Sequence, residues 1–588
     1  MTRRCLSTVA SVALVATAVS LAGSVGATQV PTSDQDGAAG RVTLSVVGTT
    51  DLHGRVFPSD GQGGLALLGG YLRNLRAARA TDGGAVLLLD AGDTFEGGIA
   101  SNISEGALVV DAYNALGYNA LAIGNHEFDY GAIDTVAGGG SGAPDPRGAL
   151  KAAAARARFP FLAANLIDAS TGRVPDWPNV RPSTLVEAAG LRVGIVGVMT
   201  RDGLTRTLAA NVQGLDTTAL GPVVEDEARR LRERGADLVL VLAHAGGACF
   251  EFDDPADLSS CDDDAEIFGL ARRLPPGLVD AIVAGHSHRA VAHQVAGIPI
   301  IQAYSRGSAF ARVDLTVERA VGVVAARLFP PQAVCAAVAA DGWSCAAGGD
   351  GRPAVYEDAP VRPDASVVAA MQPELERVNR WRAEPVGITL EAPVPRNRDG
   401  AESPLGNLFA DAFLAAVPHA DLAIGMGARR GGLRGDLPAG ALTRGQLYDV
   451  FAFDNRIAVL TMTGAQLQQA LAGELARERV RNPRGMPSVS GVRVRLTCAG
   501  VGRQFEIVRL TGAPIHPEET IVVAATDFFA RRAARNVDAV SPGAALASAP
   551  LVREAVSHWL TARGGRISPA DFATPPRWEL PDGGACLD

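Results

Sequence analysis

Five short apolar runs in this chain each end in a cluster of polar, metal-competent side chains. That recurrence constrains the fold more than any other feature. Val42–Val47 leads into Thr50-Asp51-Leu52-His53-Gly54, Val86–Leu89 into Asp90-Ala91-Gly92-Asp93, and Ala120–Ile123 into Gly124-Asn125-His126-Glu127-Phe128-Asp129. Further on, Leu238–Leu242 leads into Ala243-His244, and Ala281–Val283 into Ala284-Gly285-His286-Ser287-His288. Short apolar runs bounded by such turns read as buried strands. Phe161–Ala164 and Val193–Val198 are further strand candidates, and Val109–Leu116 and Val223–Arg234 carry helical patterns. The alternation predicts a layered α/β domain. If the runs belong to a common sheet, every polar cluster sits at a strand's carboxyl end, where open α/β sheets place their ligand sites.

The collected donors are carboxylates, imidazoles and one amide, with no thiolate among them. Such a set suits Zn²⁺ or Mn²⁺ first, with Mg²⁺, Co²⁺ or Ca²⁺ as alternatives. It holds too many donors for one tetrahedral ion. Two ions sharing a bridging carboxylate use them well, and a pair ~3.5–4 Å apart suits in-line displacement at phosphorus. Singly, each cluster reads as turn chemistry: Gly124 and Asn125 suit positive φ, and a lone His244 suits a structural hydrogen bond. Their joint occurrence, always after an apolar run, favours a site.

The rest of the chain sets the context. Its 588 residues exceed one ordinary domain. Arg3 and Arg4, an apolar run from Val9 to Leu21 and small residues up to Ala27 read as an export signal over 1–27. Residues 28–40 read as a disordered leader. Nothing later resembles a membrane anchor, so a periplasmic or extracellular protein is expected. Beyond the signal stand Cys249, Cys261, Cys335, Cys345, Cys498 and Cys586, an even set that favours disulfides outside the cytoplasm. Proximity pairs Cys249 with Cys261 and Cys335 with Cys345, leaving Cys498 with Cys586. A net charge of -9 argues against a duplex nucleic-acid partner but not against a small anionic substrate. Residues 41–345 form the first domain. A linker and hinge helix follow over 346–385, and a second α/β pattern fills 386–588. That pattern includes helices at Leu405–Val417 and Gly464–Glu474 and strands at Leu422–Ile424 and Ile521–Ala524.

Asp51-x-His53, Gly92-Asp93, Gly124-Asn125-His126-Glu127-x-Asp129, His244 and Gly285-His286-Ser287-His288 resemble the calcineurin-like metallophosphoesterases. The full-length arrangement is similar to their bacterial 5'-nucleotidase and 2',3'-cyclic-nucleotide phosphodiesterase branch. The resemblance implies a four-layer α/β/β/α sandwich followed by an α/β substrate-binding domain. Carried over by position, Asp51, His53 and His288 bind one metal and Asn125, His244 and His286 the other, with Asp93 as the bridge. His126 and Asp129 become the catalytic pair, and a hydroxide held by the metals attacks phosphorus. The second domain supplies arginines and two rings for a small-molecule nucleotide or other phosphoester. Arg434 matches the phosphate-side arginine, Arg398 and Arg429 fall nearby, and Phe453 and Phe528 match the stacking rings.

Three positions depart from the family pattern. Arg429 stands for Asn, Ala452 for Pro, and Arg531-Arg532-Ala533-Ala534-Arg535 for a Gly-Gly-Asp-Gly run, with Ala534 in place of a sugar-binding Asp. The leading expectation is an exported 5'-nucleotidase-like hydrolase. Cyclic nucleotides, nucleotide sugars and non-nucleoside phosphoesters are alternative substrates. A non-catalytic extracellular ligand-binding protein is the alternative from another class, and the intact metal motifs weigh against it. The sequence leaves the oligomeric state open.

Overall fold

The computed structural model describes residues 40–59, 61–133, 145–319, 321–341, 344–346, 351–397, 402–426, 432–452, 455–479, 485–499, 502–536, 541–542 and 550–580. The first domain's strands are β1 (Arg41–Thr49), β2 (Ala85–Asp90), β3 (Ala120–Ala122), β4 (Phe161–Leu162), β5 (Val180–Arg181), β6 (Ser183–Ala188) and β7 (Leu191–Met199). They continue with β8 (Leu238–His244), β9 (Ala281–Ala284), β10 (Val291–Val295), β11 (Ile298–Gln302), β12 (Ala309–Glu318) and β13 (Gly322–Ala333). Helices α1 (Leu65–Thr81), α2 (Ala107–Leu116), α3 (Leu220–Glu233) and α4 (Glu266–Arg273) flank them. One sheet runs β13-β12-β1-β2-β3-β4-β5, and a second runs β10-β11-β9-β8-β7-β6. The central strands are parallel in each, with Thr49 opposite Asp90 in the first and Ala243 opposite Ala284 in the second.

The five polar clusters therefore do not share one sheet. β1, β2 and β3 carry three, and β8 and β9 carry two. These strands are apolar on both faces, and each face is covered, one by the other sheet and one by helices. Along β8, Leu238, Leu240 and Leu242 meet Leu44, Val46, Leu87 and Leu89 of the first sheet. Val239 and Val241 point the other way, onto α3 and α4. Val47 and Leu88 pack likewise against α1 and α2. The result is the four-layer α/β/β/α sandwich, with all five clusters brought to one edge.

Residues 351–362, expected as linker, pack onto the first domain. Val361 and Ala354 are buried there, and the Tyr356 ring meets Tyr71 and Phe310. The helix α5 (Ala365–Ala383) follows, capped by Asp364, whose side chain accepts the Ser366 N–H. Its first half buries Val367 and Met371 in the same core. Its last turn reaches the second domain through the Arg382–Asp449 ion pair, 2.8 Å.

The second domain is built on α6 (Pro404–Ala416), with Ser403 accepting the Gly406 N–H, and on a five-stranded sheet. Its strands are β14 (Leu422–Ile424), β15 (Ile457–Thr463), β16 (Val489–Ser490), β17 (Thr520–Thr526) and β18 (Ser541–Pro542), in the order β16-β14-β17-β15-β18. Leu405, Leu408 and Phe409 cover one face of the sheet, and Leu467, Leu471 and Phe529 the other. Disulfides join Cys249 to Cys261 and Cys335 to Cys345. Cys586, the expected partner of Cys498, lies outside the described residues. No helix among the described residues is long and apolar enough to cross a membrane.

Candidate metal centre

Three strands of the converging edge, β1, β2 and β9, run into left-handed residues. Asp51, His53, Asp93, His286 and His288 all have positive φ, between 49° and 77°. Such backbone costs of order 1–3 kcal/mol per non-glycine residue, and it turns each side chain back over the strand ends. The loops are held there by one another. Asp51, His53 and Gly54 donate their N–H groups to the carbonyls of Gly92, Asp93 and Thr94 (2.9, 3.0 and 2.9 Å), and Arg306 donates to the Asp51 carbonyl (2.7 Å). The His286 N–H donates to Asp51 Oδ2 at 3.0 Å, which ties the two sheets together.

The side chains gather into two groups that share Asp93. Ligand atoms of Asp51, His53, Asp93 and His288 lie within 4.8 Å of one another, as do those of Asp93, His244 and His286. In the first group the Nε2 atoms of His53 and His288 are 2.9 Å apart, and His288 Nε2 lies 3.3 Å from Asp51 Oδ1. In the second, His244 Nε2 stands 3.0 Å from His286 Nδ1, 3.2 Å from Asn125 Oδ1 and 3.2 Å from Asp93 Oδ2. The Nδ1 atoms of His53 and His244 face the carbonyls of Glu96 and Ala91 (3.1 and 2.8 Å). Donation there leaves each Nε2 lone pair aimed into the cluster, the usual outer-shell arrangement for a metal-binding imidazole.

The electrostatics of His53 and His286 suit ligands, whereas His244 is charged while no cation faces Asp93. Burial, helped by neighbouring imidazoles, lowers His53 and His286 to about 4, so both are neutral as ligands must be. Burial also opposes protonation of His244, yet the Asp93 charge raises it to about 9. Asp93 is in turn held far below the usual carboxylate range by His244, despite its burial. Asp51 Oδ1 is buried with no hydrogen-bond partner. An orphaned carboxylate oxygen beside converging lone pairs fits a cation. The nitrogen and oxygen donors fit two divalent ions, and no thiolate intrudes.

Comparisons with known proteins follow the same division. Residues 44–290 match the calcineurin-like phosphoesterase family, and residues 385–538 match the 5'-nucleotidase C-terminal domain. The chain therefore carries a calcineurin-like phosphoesterase domain followed by a 5'-nucleotidase C-terminal domain. It is 25% identical to Protein UshA of Yersinia enterocolitica, over 83% of this chain and 85% of that protein. It is 28% identical to a 5'-nucleotidase of Vibrio cholerae, over 42% of this chain and 40% of that one. Among solved structures, a putative 5'-nucleotidase from Staphylococcus aureus superposes with a TM-score of 0.60 at 17% identity, over 92% of this chain and 99% of the other. A chain with these two domains is a metal-dependent phosphoester hydrolase.

Within this 5'-nucleotidase fold, His126 lies at the rim of the cluster. Its N–H donates to Asp93 Oδ1 (2.8 Å), and its Nδ1 meets Asp129 Oδ2 in a short hydrogen bond. Thr207 Oγ1 donates to the other Asp129 oxygen at 2.6 Å. Burial pulls the imidazole down, but the Asp129 bond and the Asp93 and Glu96 carboxylates outweigh it and raise His126 to about 10.

Two buried carboxylates escaped the sequence reading. Glu127 accepts the N–H groups of Asp93, Thr94 and Gly124 (3.0, 2.6 and 2.7 Å). Asp90 accepts from the Gly92 N–H and from the hydroxyls of Thr49, Thr94 and Tyr113. Both stand in the quoted clusters, and their burial was the missing signal. Asn125 is not the positive-φ turn residue its type suggested, since its φ is -78°.

On the substrate side, Arg434 is exposed and its charge is felt by Arg55, two residues past His53. The Phe528 ring is 56% exposed, which excludes a core-packing role. Arg532 lies over that ring at 4.9 Å and pairs with Glu474 at 2.6 Å. Arg398, Arg429 and Phe453 lie outside the described residues.

Proposed function

We propose that the chain is an exported two-metal phosphoesterase that hydrolyses nucleotide phosphomonoesters. The observation that carries this reading is Asp93, shared by two groups of inward-facing donors with the His126–Asp129 pair alongside. Asp51, His53 and His288 would hold one ion, and Asn125, His244 and His286 the other, with Asp93 available to both. Zn²⁺ or Mn²⁺ suits these nitrogen and oxygen donors. Such ions supply an activated water and neutralise charge on phosphoryl oxygens. The chain's own residues do the rest. Asp129, itself held by Thr207, fixes the His126 ring, so that His126 can stabilise charge at the phosphoryl or leaving oxygen. Arg434 receives the anionic end of the substrate. Phe528 offers a face to a base, and a π-face tolerates several bases.

Nucleotide specificity is supported by the match of residues 385–538 to a 5'-nucleotidase C-terminal domain and by that exposed ring. Export is supported by the charged and apolar N-terminus and by the two disulfides. One relative, 23% identical over 84% of this chain, is a Listeria monocytogenes cell wall protein. The chain covers 64% of that protein's length.

The test is phosphate release by metal-loaded protein from AMP, UMP, a 2',3'-cyclic nucleotide, UDP-glucose and an aryl phosphate. Nucleotide monoesters should lead, and His126→Ala should lower kcat by on the order of 10²–10⁴ with metal content unchanged. Turnover of the aryl phosphate alone would discard nucleotide specificity and keep the phosphoesterase.

A further inference from the structure

Apart from the residues assigned to the two-metal centre, a histidine is buried against a disulfide. Cys249 is bonded to Cys261, and a ring nitrogen of His293, on β10, lies within 4.8 Å of both sulfurs. His293 is 1% exposed and its Nε2 has no hydrogen-bond partner. A buried polar atom left so in a packed core calls for an explanation, and an absent ion is one. The pocket is preformed. Cys249 donates its N–H to the Ala290 carbonyl at 2.9 Å, which ties the cysteine loop to the segment leading into β10. The Phe252 ring lies 5.8 Å from the imidazole. Burial lowers the His293 pKa, against the Asp257 and Asp254 charges and the Glu251 backbone, so the ring is held neutral.

We propose that the thiol form of this chain binds one thiophilic divalent ion, Zn²⁺ or a similar metal, through Cys249, Cys261 and His293. Disulfide and ion are then alternative occupants of the same place. Two thiolates and one imidazole form a recognised zinc donor set, with water as fourth ligand. Two Zn–S bonds of about 2.3 Å at a tetrahedral angle set the sulfurs roughly 3.8 Å apart, a small motion for side chains already in contact. The chemistry balances. A dithiol reductant gives two electrons and two protons to the disulfide and leaves as its own cyclic disulfide. The two new thiols lose their protons as the ion binds. A two-electron oxidant closes the disulfide again and expels the ion. Either occupant keeps the 249–261 loop closed, so the loop is fixed before oxidation as well as after it.

The test uses the full chain, chelator-stripped, reduced with a dithiol and freed of it under nitrogen. Cobalt(II), added beyond the two equivalents that the Asp93 centre takes, should then give a sulfur-to-metal charge-transfer band with the amplitude of one bound ion. The carboxylate and imidazole centre cannot produce that band. Disulfide-bonded protein should not show it, and excess Zn²⁺ should bleach it. Replacing both cysteines (Cys249→Ser with Cys261→Ser) should abolish it, and His293→Ala should weaken binding at least tenfold. No band in the reduced wild-type chain would overturn the proposal, and so would a band that survives loss of both cysteines. The wild-type comparison needs no variant to fold.

Discussion

Glu127 is 1% exposed and accepts three backbone N–H groups from the two loops that carry Asp93 and Asn125. Burial and the nearby Asp93 charge raise its carboxyl to about 7. Such a group is costly to bury, so its return must lie in holding those loops. Glu127→Gln turns one accepting oxygen into a donor that faces N–H groups. The variant should lose about 1–3 kcal/mol of stability in denaturant titration. It should also bind metal more weakly, and unchanged stability with unchanged metal affinity would refute the role. His126 gives a second prediction. Its folded pKa of about 10 lies above the unfolded value of 6.5. In metal-stripped protein its contribution to stability is therefore full below pH 6.5 and lost as pH rises through about 10. Asp129→Asn removes the carboxylate behind that rise, so the NMR titration of the His126 ring should move downward toward 6.5. An unmoved midpoint would show that Asp129 does not set it. These roles were only half visible in the sequence. The motif spacing marks His126 and Asp129, but nothing in a lone Glu127 says that it faces inward.

At the scale of loops and strands, the decisive contact is between backbone and side chain. A Cβ on Gly124 would lie 2.4 Å from Asp93 Oδ1 and 2.9 Å from His244 Cε1. The glycine is there for room, since Gly124 is not among the positive-φ residues. Gly124→Ala should fold with unchanged circular dichroism, yet bind the second ion at least tenfold more weakly by isothermal titration. Wild-type affinity would contradict that reading. The strands themselves were legible because both faces of β1, β2, β8 and β9 are buried, which writes continuous apolar runs into the chain. Their assignment to two sheets was not legible. A run buried under a helix and a run buried under a second sheet have the same composition. The left-handed ligand residues were also hidden, since Asp and His take that conformation without a local sequence signature as firm as glycine's.

For the whole molecule, α5 runs from the first domain to the second, gripped by Val367 and Met371 at one end and by Arg382 and Asp449 at the other. The second domain was legible as α/β, while its ligand-facing side was not. Motif position alone placed Arg434 and Phe528, and only the structure shows Arg532 occupied by Glu474 and the Phe528 ring. That engagement occupies Arg532, one of the arginines standing where the family pattern has Gly-Gly-Asp-Gly. The proposed centre for two ions around Asp93 draws on five strand ends from two sheets. The most direct test is to titrate Mn²⁺ or Zn²⁺ into metal-stripped protein while following phosphate release from a nucleotide. Activity should be absent at zero equivalents and saturate at two per chain, and Asp93→Ala should abolish the saturable phase. Full activity in the stripped protein, or saturation at a single equivalent, would contradict the two-metal centre.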